Sequence, residues 1–321
     1  YEELSVEDMI AEEDMVITIS HRGNIKRFPV SGYRRQRRGG KGATGATTRE
    51  EDFMEHMFIA STHHYILFFS DKGKCYWLKV HEIPQAGRAT RGRPIVNLID
   101  IEKKEQIRAF ITVKNFEDGG NIVIATQKGI VKKTDLVAFS RPRRGGILAV
   151  NIRENDSLIE AKHSSGNDDI ILGTRKGFSI RFHESDIREM GRTATGVKGI
   201  TLRQNDSVIG MVVVKREGTL LAVSEKGLGK RSNVGDYRVQ GRGGKGIIAM
   251  KVTEKTGYIV TILEVVDNED IILLTEKGVA IRQHIGNIKV IGRNTQGVRL
   301  MRIENDRISD VAKIVSEEED T

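Results

Sequence analysis

The sequence predicts an all-β protein built as a propeller-like disc of six four-stranded blades. A turn of the form Ser/Thr-x-Lys/Arg-Gly recurs six times, and its glycines are 50, 56, 48, 50 and 51 residues apart. A second glycine follows each turn glycine after 19 residues in five units and after 17 in the third. A period near 50 residues with four short strands in each period is typical of propellers. The turn glycines are Gly23, Gly73, Gly129, Gly177, Gly227 and Gly278, and the second glycines are Gly42, Gly92, Gly146, Gly196, Gly246 and Gly297.

The elements of one unit follow from its apolar pattern. The first strand is nearly all apolar, as in Ile271–Leu274, which predicts burial on both faces. The turn glycine is expected to take a positive φ in a tight hairpin that leads to the second strand. Beyond the second glycine, apolar and polar residues alternate, as around Asn151, which predicts a third strand. An Asn-Asp turn such as Asn205-Asp206 then leads to a fourth strand such as Val208–Val214. Closing six such units into a ring removes most exposed sheet edges.

Charge is spread unevenly along the chain. We divide it into an acidic lead-in at 1–14, blades near 15–62, 63–114, 121–168, 169–217, 218–266 and 267–316, and an acidic tail at 317–321. The net charge is +8 from 52 Lys+Arg and 44 Asp+Glu. Because both ends of the chain are acidic, the cations concentrate in the blades. This distribution favours a polyanionic partner. Because the chain begins at Tyr1, we expect it to be a piece of a longer protein.

Several function classes are disfavoured by the sequence. The single cysteine, Cys75, excludes an internal disulfide and fits a reducing cytoplasm. No apolar run approaches the length of a membrane span, and the eight histidines lack metal-ligand spacing. The Gly-Gly-Lys-Gly run is not followed by Ser or Thr as a Walker-type phosphate loop requires, and no nucleophile motif is visible. We expect no metal, no cofactor, no catalytic residue and no membrane partner.

A basic, glycine-rich segment in the first unit is the most distinctive motif. It consists of Gln36, Arg37, Arg38, Gly39, Gly40, Lys41 and Gly42, and Arg34 and Arg35 stand directly before it. Glycine lets the backbone approach a phosphate closely, and guanidinium groups bind phosphate oxygens through paired hydrogen bonds. A near copy recurs at Gln240–Gly246 in the fifth unit.

Cations also recur at fixed places in the repeat. Four residues before the second glycine stand Arg38, Arg88, Arg192, Arg242 and Arg293, and the third unit has Arg141, Arg143 and Arg144 around that place. Four residues after the turn glycine stand Arg27, Lys133, Arg181, Arg231 and Arg282, with Trp77 as the exception. On a closed disc, equivalent loops form a belt around the rim, which is a surface suited to bending duplex DNA. The remaining candidates for contact with double-stranded DNA are Arg91 and Lys245.

The segment Gln36–Gly42 is identical to the seven-residue box that marks the C-terminal domain of DNA gyrase A subunits, and the whole chain resembles that domain family. The resemblance implies a six-bladed β-pinwheel, whose blades exchange strands, and right-handed wrapping of DNA that gives directional negative supercoiling. It implies as partners the N-terminal part of the A subunit, which forms a homodimer, and the B subunit of an A2B2 heterotetramer. It also implies a non-catalytic domain in the bacterial cytoplasm, associated with the nucleoid.

Three alternatives remain at this point. The related domain of topoisomerase IV has similar repeats but a lost or eroded box, so the intact box disfavours it. A protein-interaction propeller of the kelch or WD-repeat kind carries an aromatic signature in each blade, whereas this chain has one tryptophan. A propeller glycosidase needs convergent carboxylates near the axis, and the units share no acidic position of that kind.

Overall fold

The structure is a computed structural model that describes residues 7–30, 52, 54–87 and 90–314. Within these residues it contains 23 strands and seven 3-10 helices, which confirms the predicted all-β class. The strands form six sheets, five of four strands and one of three.

Four kinds of strand build the sheets. The inner strands are β3 (Met54–Ser61), β7 (Ile107–Val113), β11 (Leu158–Ser164), β15 (Val208–Val213), β19 (Ile259–Val265) and β23 (Ile308–Ile314). The second strands are β1 (Asp14–Ser20), β4 (Tyr65–Ser70), β8 (Asn121–Thr126), β12 (Asp169–Thr174), β16 (Thr219–Ser224) and β20 (Asp270–Thr275). The third strands are β2 (Asn24–Pro29), β5 (Lys74–Lys79), β9 (Ile130–Asp135), β13 (Phe178–His183), β17 (Leu228–Asn233) and β21 (Ala280–His284). The outer strands are β6 (Arg93–Pro94), β10 (Ile147–Leu148), β14 (Val197–Lys198), β18 (Ile247–Ile248) and β22 (Val298–Arg299).

The sheets are arranged in a ring. Each sheet runs from its inner strand through the second and third strands to the outer strand, and all described pairings are antiparallel within the sheets. The inner strands from β7 to β23 contact one another in sequence, and β23 also contacts β3. Phe58 of β3 stacks on Phe110 of β7 with ring centroids 5.6 Å apart, so the circle is complete.

Neighbouring units exchange strands. The outer strand of each sheet comes from the unit that follows it in the chain, as where Ile25 of β2 lies opposite Arg93 of β6. This confirms the exchange that the family resemblance implies. The sixth sheet has three strands in the described part, and the residues of the first unit that correspond in sequence to an outer strand lie outside that part.

The core lies between neighbouring sheets. Apolar clusters fill the spaces between consecutive sheets, as where Leu67 and Phe69 of one sheet pack against Ile122 and Ile124 of the next. Since such a layer covers both faces of each internal sheet, second strands such as β8 and β16 are buried at every position. The predicted two-sided burial is confirmed for these strands, whereas in β20 of the last sheet Ile272 and Leu274 are half-buried.

The turn glycines have the predicted backbone conformation. All six take a positive φ, between 80° and 92°. At Gly177 a Cβ atom would lie 2.3 Å from the carbonyl oxygen of Met250. The turn therefore packs directly against the backbone that follows an outer strand, and only glycine fits both the φ angle and the space.

Candidate nucleic-acid interface

The perimeter of the ring consists of the outer strands and of the loops that lead into them, which we call the rim loops. Each rim loop leaves a third strand through a short 3-10 helix and ends at the outer strand that it supplies to the preceding sheet. They span 80–92, 136–146, 184–196, 234–246 and 285–297, without residues 88 and 89. The predicted residues Arg34, Arg35, Gln36, Arg37, Arg38, Gly39, Gly40, Lys41, Gly42 and Arg88 lie outside the described part.

Three predicted arginines anchor the rim loops to the preceding sheet. Arg242 donates from Nε to the Asp186 carbonyl oxygen at 2.9 Å and from Nη1 to that of Lys198 at 2.8 Å. Arg293 and Arg192 bind the carbonyl oxygens at the equivalent places in β18 and β10. All three side chains are half-buried, and their Nη2 atoms have no hydrogen bond to another described residue. The fold uses one side of each guanidinium group and leaves the other side available to a ligand.

Five predicted cations are exposed on the perimeter. Within the described part of the chain their side chains make no hydrogen bond and no ion pair. Three of them stand together in the rim loop of the third unit, where Gly146 closes a turn by donating to the Arg143 carbonyl oxygen at 2.9 Å. These unbonded side chains are Arg91, Arg141, Arg143, Arg144 and Lys245.

The cations after the turn glycines do not fit the predicted role. Arg231 is 4% exposed, and its Nη1 donates to the carbonyl oxygens of Ile285 and Ile288 at 3.1 and 3.3 Å. Lys133 is 8% exposed and donates to the Glu184 carbonyl oxygen at 3.0 Å. Arg27 is half-buried and donates to Ile83 at 2.6 Å. Each side chain holds the 3-10 helix of the next unit, so the prediction that Arg27, Lys133 and Arg231 face a DNA partner is corrected.

Trp77, the exception in this register, performs the same structural task. Its indole Nε1 donates to the carbonyl oxygen of Phe139 at 2.9 Å, in the 3-10 helix of the next unit. Arg181 likewise donates from Nη1 to the carbonyl oxygens of Val234 and Tyr237 at 2.9 and 3.3 Å. The position four residues after the turn glycine needs a side chain with an N–H donor that is long enough to reach the 3-10 helix of the next unit. A positive charge is not required.

The near copy Gln240–Gly246 is held in place through its backbone carbonyl oxygens. The carbonyl oxygens of Gly243 and Gly244 accept hydrogen bonds from Thr201 at 2.6 and 2.8 Å, and that of Lys245 accepts one from Arg203 at 2.7 Å. In a trans peptide the C=O and the next N–H point in opposite directions. The N–H groups of Gly244, Lys245 and Gly246 therefore point away from Thr201 and Arg203, beside the exposed Lys245 side chain, an arrangement that suits an anion.

Lysines in alternate units hold the rim loops, and those of the third and fifth units are buried. Lys132 donates from Nζ to the carbonyl oxygens of Ala149 at 2.6 Å and Arg192 at 2.5 Å. Lys230 contacts the Gly292 carbonyl oxygen at 3.0 Å and also that of Arg293, and Lys26 contacts that of Thr90 at 2.8 Å. Burial, assisted by the Arg192 charge, lowers the pKa of Lys132 to about 7. Burial and the Arg293 charge lower the pKa of Lys230 to about 8, against the opposing effect of Asp236.

A second exposed register of rim cations was missed from the sequence. Arg188, Arg238 and Lys289 each stand eight residues before the second glycine and are exposed on their rim loops. Arg34 occupies the same register in the first unit. The signal was the recurrence of a cation at one offset, which is the same kind of signal that identified the arginines four residues before that glycine.

Other kinds of site are not apparent in this part of the chain. The described residues contain no group of three or more His, Cys, Asp or Glu side chains that could hold a metal ion. Among the same residues, no helix is long and apolar enough to cross a membrane.

Comparison with known proteins agrees with this geometry. A family described as the DNA gyrase C-terminal domain, beta-propeller, matches residues 14–61, 64–114, 120–163, 168–215, 218–265 and 269–314. The A subunit of DNA gyrase from Halalkalibacterium halodurans is 52% identical over 315 residues, which are 98% of this chain and 38% of that protein. Its counterpart from Salmonella typhimurium is 44% identical over 321 residues, which are 99% of this chain and 37% of that protein. The chain thus spans less than two fifths of these relatives.

Solved structures support the fold. The structure of a DNA gyrase A C-terminal domain has a TM-score of 0.72 at 24% identity, covering 94% of this chain and 100% of that one. The C-terminal domain of a DNA topoisomerase IV has a TM-score of 0.83, also at 24% identity, covering 95% and 94%. At this identity both likenesses speak for the fold alone. The match of the family along all six units, together with the gyrase relatives, shows that the chain belongs to the family of DNA gyrase C-terminal β-propeller domains.

Proposed function

We propose that this domain binds double-stranded DNA, bends it and wraps it around the ring perimeter without reading its sequence. The observation that carries the proposal is the recurrence of cations at two offsets on the rim loops, at Arg192, Arg242 and Arg293 and at Arg188, Arg238 and Lys289. The fold uses only part of the hydrogen-bonding capacity of the first three side chains, and it does not use the second three. No recognition helix is present among the described elements, so base-specific contacts are not expected.

Distributed contacts of this kind suit a bent duplex. Each phosphate neutralised by Lys or Arg releases counterions, so about ten contacts give a log–log salt slope near −9. Bending some tens of base pairs costs on the order of several kcal/mol, which many weak contacts can offset together. The half-buried arginines offer a fixed Nη2 donor, and the amides of Gly244, Lys245 and Gly246 add neutral donors.

The proposed contact set follows from exposure. It keeps the exposed and half-buried rim cations, adds the second register, and omits Arg27, Lys133 and Arg231, whose donors are used inside the fold. It includes the box and its neighbours on the strength of their sequence. In full the set is Arg34, Arg35, Gln36, Arg37, Arg38, Gly39, Gly40, Lys41, Gly42, Arg88, Arg91, Arg141, Arg143, Arg144, Arg188, Arg192, Arg238, Arg242, Lys245, Lys289 and Arg293.

The role in a larger assembly is part of the same proposal. We propose that the wrap is right-handed and delivers a nearby segment of the same DNA for strand passage, giving an ATP-dependent type IIA topoisomerase its direction towards negative supercoils. The domain would act without catalysis of its own, joined to the N-terminal part of the A subunit in an A2B2 enzyme with the B subunit, in the bacterial cytoplasm. The gyrase relatives from two bacteria support this setting.

Wrapping is tested by the topology of closed circular DNA. Relaxed circles are saturated with the domain, treated with a relaxing topoisomerase and freed of protein. We expect the circles to retain positive supercoils, because the relaxing enzyme removes only the compensating writhe outside the wrap. An unchanged linking number at saturated binding contradicts wrapping even if the affinity is high. A protein partner whose binding is insensitive to salt, together with weak DNA binding, would favour an interaction propeller instead.

A further inference from the structure

The seam between the fifth and sixth sheets contains a basic cavity that the repeat does not explain. The cavity has a volume of about 460 Å³ and lies beside the turn of the fifth sheet, the end of β22 and the turn before β23. Four cations line it, against two carboxylates. The cations are Lys226, Lys255, Arg299 and Arg302, and the carboxylates are Glu304 and Asp306.

The two arginines of the cavity are free to bind a ligand. Arg299 and Arg302 are exposed, and neither side chain has a hydrogen bond or an ion pair to another residue in the described part of the chain. Of the two carboxylates that line the cavity, that of Asp306 is engaged, because one of its oxygens accepts the backbone N–H groups of Arg307 at 2.8 Å and Lys277 at 3.3 Å.

The equivalent positions at other seams show that the fold does not require these arginines. Arg299 pairs with Leu228, and the residues in its place in β6, β10, β14 and β18 are Pro94, Leu148, Lys198 and Ile248. The residue three places further on is Asn97, Asn151, Thr201 and Lys251 in the second to fifth units, so the sixth unit, with Arg302, is the one that has a cation at both places. Two guanidinium groups at one seam therefore have no packing or turn function that the repeat shares.

The position of the cavity fits a ligand that runs along the perimeter. Arg299 belongs to β22, which is the outermost strand of its sheet, while Lys226 lies in the turn between the second and third strands. The cavity thus opens where the rim meets the flat face that carries these turns. An excess of two positive charges, with arginine forks facing solvent, suits phosphodiester groups.

We propose that this cavity is a phosphate subsite that binds the backbone of the wrapped duplex at the edge of the rim, with Arg299 and Arg302 as its main donors. The proposal rests on the proposed DNA wrapping. It extends the contact surface from the rim loops onto one face of the disc, so the duplex path is displaced towards that face as it passes the fifth and sixth sheets.

The test compares two double variants of equal charge. R299Q/R302Q removes the cavity arginines, and K103Q/K104Q removes two exposed cations from a turn of the second unit that does not line the cavity. Binding of a mixed-sequence duplex of roughly 140 base pairs, long enough to bend substantially, is measured as a function of salt. We expect R299Q/R302Q to make the log–log slope shallower by about two and K103Q/K104Q to change it little, since each lost phosphate contact contributes about 0.9.

The outcomes separate this inference from the proposed function. If the unaltered domain fails to shift the linking number of closed circles, wrapping itself is wrong. If the unaltered domain wraps DNA and both double variants show the same slope change, the cavity is only part of the general positive field and the subsite is refuted. Urea unfolding of both variants checks the fold, which we expect to be unchanged because all four side chains are exposed.

Discussion

Single side chains of the same type serve different purposes in this ring, and burial decides which. Arg231 and Arg242 both donate to carbonyl oxygens across a sheet boundary. Arg231 is enclosed and fully engaged, whereas Arg242 keeps an Nη2 atom without a described partner. Arg231 stabilises the ring, and Arg242 can both stabilise the ring and bind a phosphate group.

The structural role of Arg231 predicts a loss of stability on substitution. R231M leaves the Ile285 and Ile288 carbonyl oxygens without their donor in a buried place, and we expect the free energy of unfolding to fall by about 3 kcal/mol. R282M is the matched control, because Arg282 holds the same register but is 59% exposed and pairs with Asp270, so its loss should cost less than about 1 kcal/mol. Urea denaturation measures both values. A salt slope of DNA binding that changes in folded R231M would contradict the purely structural role.

The buried Lys132 predicts a pH dependence of stability. Its pKa is about 7 in the folded protein against an ordinary value of 10.5, so between these values the unfolded chain binds a proton that the folded chain does not. Stability therefore rises with pH across this window. Below it both states are protonated, so the cost of burying the charged amine is fully present and does not change with pH. We expect the rise from about pH 7 to about pH 10 to be smaller in K132M than in the unaltered protein. Urea denaturation at several pH values tests this, with K128M, at an exposed turn of the same sheet, as the control.

At the scale of elements, the sequence predicted the hairpin strands and their turns well, and it predicted the strand after the second glycine and the direction of side chains poorly. The register of turn glycines identified all six hairpins because only glycine fits at places such as Gly177. The outer strands are two residues long, and the alternation around Asn151 that predicted a strand lies after Ile147–Leu148, where the structure has none, so that prediction was wrong in place. The exchange of the outer strands came from family resemblance alone. Lys133 and Arg192 are both basic and repeat with the units, and only the packing shows that the former is buried.

We expect different consequences when two clusters of equal charge are replaced by alanine. R37A/R38A/K41A alters the box, and R141A/R143A/R144A alters three exposed cations of the rim loop of the third unit. We expect both triple variants to bind DNA more weakly, and the box variant alone to lose most of its linking-number shift, because the box combines cations with glycines that admit a phosphate to the backbone. Linking number and affinity are measured on the same samples. Parallel losses of both quantities in the two variants would show that the box has no special role.

The whole ring is a set of sheets that share their cores. Each cluster is built from two neighbouring sheets, so no sheet owns a core of its own. We therefore expect unfolding in urea to be a single transition, in contrast to open repeat arrays, whose ends can unfold separately. Trp77, which packs against the cluster between the second and third sheets, reports that region by fluorescence, while far-ultraviolet circular dichroism reports all strands. Midpoints that differ between the two signals would show that part of the ring unfolds independently.

The donation of outer strands also bears on how such a ring can change in size. In the described part of the chain, the second to sixth units each complete the sheet of their predecessor, as β14 does for β9, so the donor and acceptor positions are the same along this series. A duplicated unit would bring both an acceptor edge and the strand that its predecessor needs, and a deleted unit would remove one of each. Gene duplication can thus lengthen or shorten the circumference, and with it the arc available to a bound polymer, while every sheet keeps its full complement of partners.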